Sequence, residues 1–141
     1  MRFCIFLFII LFWFSCSNDT DENAVDCSST ACTSDIRVLY VNIKNKNGST
    51  VSLDSYKVTT VAKSKDITPQ LTQEQFEDLK QQGSYPIFSD FSPENERNKS
   101  LSIVFSGFID SNEVLSQEYL VGSDCCHVKF FEGDTDIIIE Y

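Results

Sequence analysis

From Ile36 onward the chain is a succession of short β-patterned runs cut by turn signals, and no other feature constrains the fold as strongly. Side chains alternate faces along a strand, so Ile36-Arg37-Val38-Leu39-Tyr40-Val41-Asn42-Ile43 can bury one face and wet the other. Asn47-Gly48, which follows, suits a tight hairpin turn. Further runs are Val51 to Val61, Tyr85-Pro86-Ile87-Phe88, Leu101 to Ile109, Val114 to Val121, Cys126 to Phe131 and Asp136 to Tyr141. Pro86 cannot donate to a ladder, which places its run at a sheet edge or a strand start. One stretch has helical features: Thr72 and Gln75 form a capping box, Phe76 and Leu79 share a face, and Gly83 closes it.

Seven strand-like runs with at most one short helix read as an all-β chain, an antiparallel β-sandwich of immunoglobulin-like or transthyretin-like form. No repeat of fixed period is visible. Residues 36–141 are enough for one such domain.

The N-terminus is of another kind. Met1-Arg2 is followed by an apolar run from Phe3 to Phe14, then Ser15-Cys16. Twelve residues rise only ~18 Å as a helix, short of the ~30 Å hydrocarbon core, so residues 1–15 read as a signal peptide rather than a span. Trp13-Phe14-Ser15-Cys16 resembles the lipobox of bacterial lipoproteins, with Ser15 at the small position and bulkier residues before it. The resemblance implies that Cys16 is lipidated and becomes the first residue of the mature chain, a firm anchor without a membrane helix. Residues 16–35 then form a lipidated, acidic tether. Its start, Ser17-Asn18-Asp19-Thr20-Asp21-Glu22, is similar to the serine and acidic run by which Bacteroidetes lipoproteins reach the outer face of the outer membrane.

Charge narrows the partners. The whole sequence carries a formal -10, and without residues 1–15 it holds 10 Lys+Arg against 21 Asp+Glu. Such a surface repels phosphate backbones, which excludes nucleic acid as the expected partner. One His and no Gly-rich phosphate loop leave no parts for most cofactor chemistry, and no cofactor is expected.

Cys4 lies in the signal and Cys16 is assigned to lipid, leaving Cys27, Cys32, Cys125 and Cys126. An even number in an exported chain implies disulfides, with three connectivities open. Bridging the neighbours Cys125 and Cys126 is strained, because adjacent Cα atoms lie ~3.8 Å apart. Crossed bridges from Cys27 and Cys32 to Cys125 and Cys126 are therefore expected, in either order.

Cys125-Cys126-His127 raises a metal or redox reading, but Cys-x-x-Cys spacing is absent. Alternation through Cys126, Val128 and Phe130 would send His127 to the opposite, solvent face with Lys129 and Phe131. Glu132-Gly133-Asp134-Thr135-Asp136 gathers Glu132, Asp134 and Asp136 in one turn, with Asp124 nearby as a further oxygen donor for calcium. It lacks the ligand ladder of an EF-type loop, and a solvated turn is the simpler reading. No catalytic set is expected: His127 has no Ser in a nucleophile elbow and no free Cys beside it.

Four segments carry a wider resemblance: Asp54-x-Tyr56-Lys57-Val58, Tyr85-Pro86-Ile87, Gly107-Phe108-Ile109-Asp110, and Val121 through Asp124-Cys125-Cys126-His127-Val128. Together they resemble a group of small lipoproteins of flavobacteria and other Bacteroidetes. That resemblance implies a β-sandwich related to carboxypeptidase-regulatory or transthyretin-like modules, and implies no activity. The expectation is a non-catalytic binding or accessory module of the bacterial outer membrane. It would be anchored through Cys16, exposed at the cell surface, and would meet a protein or glycan partner. The alternative is a calcium- or zinc-dependent binding protein using His127 or the Glu132–Asp136 carboxylates.

Overall fold

Seven strands and one helix follow one another along residues 26–140, the part of the chain described by a computed structural model. They are β1 (Val38–Asn45), β2 (Ser55–Thr60), α1 (Gln73–Gln82), β3 (Ser84–Ser89), β4 (Ser100–Ile109), β5 (Asn112–Ser123), β6 (Val128–Glu132) and β7 (Asp136–Ile139). The signal-like run, Cys16 and the acidic stretch Ser17 to Glu22 lie outside the described residues.

The strands form two sheets, one in the order β3-β1-β7 and the other β2-β4-β5-β6. The all-β sandwich expected from the alternation is present. A division into four and three strands is that of an immunoglobulin constant domain, whose sheets are ordered differently. All pairings are antiparallel except β1 with β7, which run parallel from Asn42↔Asp136 to Asn45↔Ile139. The parallel pair arises because the chain leaves β6 in one sheet and crosses to the other before starting β7.

The alternation in β1 buries Leu39, Val41 and Ile43 while Tyr40 and Lys44 stay exposed. Facing residues Ile103, Phe105, Tyr119 and Val121 from β4 and β5 complete the core, with Tyr85 and Phe88 among its largest fully buried side chains. Burying each such side chain contributes about 1.5–3 kcal/mol. Tyr85 also accepts a hydrogen bond from the Leu53 N–H at 2.7 Å, so its polar tip is satisfied inside. Pro86 sits on edge strand β3 where the register slips opposite Leu39 and Tyr40, a place with no need for its missing N–H.

Helix α1 begins as its residues dictate: Gln75 N–H donates to Thr72 Oγ1, and Thr72 N–H to Gln75 Oε1. Gly83 ends it in the left-handed region at φ 63°. Asn47-Gly48 does turn the chain, with Gly48 N–H on the Asn45 carbonyl and Val51 N–H on that of Ile43. The returning arm is short, however, and β2 pairs with β4 in the other sheet.

Candidate functional site

Residues 26–37 contribute no strand, yet they are fastened to the sandwich at one end. Cys27 is bridged to Cys125 and Cys32 to Cys126, with Cα separations of 5.2 and 5.3 Å. These are the crossed bridges, and the order left open by the sequence is settled. The adjacent cysteines reach two partners five positions apart because Asp124 bends the chain beneath them. Its Oδ1 accepts the N–H groups of Cys126 (2.8 Å) and His127 (3.0 Å), while its own N–H donates to the His127 carbonyl. These two backbone donors hold the Asp124 carboxyl below its ordinary value.

The same bend overturns the expected placement of His127. Strand β6 starts at Val128, so alternation does not extend back through residues 125–127. His127 is buried, only 8% exposed. A carboxylate only accepts, so Nδ1–H donates to Asp90 Oδ2 at 2.9 Å. On the other side of the ring, Nε2 lies 3.1 Å from Thr33 Oγ1.

Asp90 is the hub. Its Oδ2 also accepts the Arg37 N–H, and its Oδ1 accepts the Val128 N–H, both at 2.8 Å. Burial opposes its charge, but the bonds from Arg37, His127 and Val128 outweigh that penalty and lower its pKa. One carboxylate thus joins the start of β1, the end of β3 and the start of β6. Neither Asp90 nor Thr33 stood out in the sequence, since 37 residues separate Asp90 from His127 and no local motif links them.

Carboxylate, imidazole and hydroxyl in a row have the connectivity of a hydroxyl-activating relay. Here the hydroxyl belongs to the exposed Thr33 of the fastened segment. One bond of the row ties that segment to the bend, and the other ties the bend to the turn that leaves β3, so the arrangement works as a clasp.

The structure does not bring Glu132, Asp134 and Asp136 together as a ligand set. Asp136 lies 3.8 Å from Lys44 Nζ and accepts from Asn42, while Asp134 offers its main-chain carbonyl to the Tyr119 hydroxyl. Asp124 is committed to the bend. Among the described residues no three His, Cys, Asp or Glu side chains are grouped to hold a metal ion. Nor is any helix among them long and apolar enough to cross a membrane. In comparisons with protein-family models, curated proteins and solved structures, the chain matched none.

Proposed function

We propose that the chain is a lipid-anchored, surface-exposed, non-catalytic binding or accessory module of the bacterial outer membrane. The observation that carries this reading is the apolar run Phe3–Phe14 ending at Ser15-Cys16, followed at once by a polar, acidic stretch. The structure supplies a compatible mechanical partner for such an anchor. Segment 26–37 is bridged twice to the β5–β6 bend, so a pull on the anchor would be borne by covalent bonds rather than by a frayed terminus. Disulfides persist in oxidising compartments, which supports export of the chain.

Protease added to intact cells tests the surface position. The domain is expected to be digested in the wild type and protected when Ser17–Glu22 is replaced by neutral residues. A domain already protected in wild-type cells would place it on the periplasmic side.

A further inference from the structure

Strand β1 is paired along one side by β3 over its first half and along the other by β7 over its second half. The β3 ladder runs from Val38↔Ser89 to Asn42↔Ser84. The β7 ladder begins only at Asn42↔Asp136, which leaves residues 38–41 with no strand on that side. Two sets of hydrogen bonds fix which main-chain groups face the opening. Arg37 exchanges bonds with Asp90 beside β3, its N–H on the carboxylate and its carbonyl on the Asp90 N–H. Asn42 N–H instead donates to the Thr135 carbonyl, just before β7, at 2.7 Å. Main-chain groups alternate sides along an extended strand, so those of Val38 and Tyr40 point with Asn42 into the opening. Pro86 agrees with this, since it lies opposite Tyr40 and has no N–H to offer it. Among the described residues no hydrogen bond takes up the N–H and carbonyl groups of Val38 and Tyr40 on that side.

Strand β6 faces the same opening from the other sheet. Its Val128 N–H turns away from β5 to Asp90 Oδ1, so the main chain of Phe130, two residues on, is turned away from β5 as well. Between the two edges lies a groove of about 580 Å³, lined by Leu39, Val128 and Phe130 together with the exposed Ile36 (58%) and Tyr40 (39%).

From this juxtaposition we infer that the groove takes an extended peptide segment of a partner protein, added to β1 as a strand in the line that β7 occupies further along. The unpaired main chain selects this occupant. Its N–H and carbonyl pairs repeat at every second residue, about 6.6 Å apart, an interval matched by another extended chain and not by a glycan or a lipid. Charge makes no such selection, because Arg37 and Lys129 beside the groove have Asp35 and Asp124 close by. Residues 38–41 also hold neither a proline nor a charge, two of the usual guards of an open edge. Side chains of the incoming strand alternate, so every second one meets Leu39, Val128 and Phe130 and is expected to be apolar. The inference deepens the binding role proposed above and rests on it, naming a protein strand as what is bound.

The whole chain, purified in detergent, is panned against phage displaying random heptapeptides, and the enriched peptides are synthesised. Hydrogen exchange resolved to single amides then reads Val38 and Tyr40. At a peptide concentration about 100 times Kd, exchange at both is expected to slow about 100-fold. Methylating alternate peptide nitrogens should weaken binding at least about ten-fold. Tyr40→Pro should weaken it too, since it removes a groove-facing N–H and spares the β1–β3 ladder. Enriched peptides that leave both amides unchanged, or that bind equally after methylation, would overturn the inference, as would a library that yields no binder. Slow exchange at both amides before peptide is added would overturn it as well. It would assign the groove to a second copy if the chain is dimeric, and to its own N-terminal segment if monomeric. Intact mass of the same protein reports acyl chains at Cys16, so the anchor and the groove are judged separately.

Discussion

His127 Nδ1 lies 2.9 Å from Asp90 Oδ2, linking the bend between β5 and β6 to the turn that leaves β3. The bond replaces solvent for two polar groups whose side chains are only 10% and 16% exposed. Removing either partner strands the other, and that sets the first prediction.

His127→Ala is expected to cost about 1–3 kcal/mol, because the Asp90 carboxylate loses a donor in a place where water replaces it poorly. Urea unfolding measures the change. A loss well under 1 kcal/mol would mean that the imidazole behaves as an exposed strand residue, with no part in the clasp.

Acid should loosen the clasp through Asp90. Its carboxyl titrates below the ordinary 3.8 in the folded chain, so the folded state binds protons more weakly than the unfolded state. The stabilisation is therefore complete only above about pH 5, clear of the unfolded value, and is lost as pH falls through the folded value. Asp90→Asn, which cannot titrate, should lose less stability than the wild type between about pH 5 and about pH 2. Parallel pH profiles for the two proteins would contradict this.

The two disulfides should not contribute additively. Each closes a loop of nearly the whole domain, with separations of 98 and 94 residues. Alone, such a closure is worth about 4–5 kcal/mol in the chain-entropy model. With one bridge in place, the other closes only a small ring through Cys27–Cys32 and Cys125–Cys126, worth about 2–3 kcal/mol. Removing either bridge alone should thus cost about 2–3 kcal/mol, and removing both about 7 kcal/mol. A double loss no larger than the sum of the two single losses would show that the unfolded chain is not what the bridges restrain.

Gly122→Ala should destabilise by about 2 kcal/mol or more, the cost of a core overpacking. An added Cβ there would meet the Lys99 carbonyl oxygen at 2.1 Å, and that oxygen accepts the Ser123 N–H. Relief would push the strand entering the Asp124 bend away from the start of β4. Thermal unfolding of the purified variant measures it, and an unchanged midpoint would contradict the close approach.

The strands were legible because burial follows a period of two wherever the backbone stays extended, as Leu39, Val41 and Ile43 show. The helix was legible from its ends, Thr72 and Gly83, whose cap geometry is local. Pairing was not legible: that β1 sits between β3 and β7, parallel to the latter, depends on contacts distant in sequence. His127 was misplaced for a local reason, since Asp124 bends residues 125–127 and ends the alternation before it reaches the imidazole. Asp90 had the opposite problem. It lies in a charged turn that looks like any solvated loop, and only the fold brings three elements to its carboxylate.

Lipid at Cys16 is the claim on which the proposed function turns, and metabolic labelling with a fatty-acid analogue tests it directly. The wild-type chain is expected to take up label and Cys16→Ser to take up none. Equal labelling of the two, or none in either, would contradict a lipid anchor at Cys16.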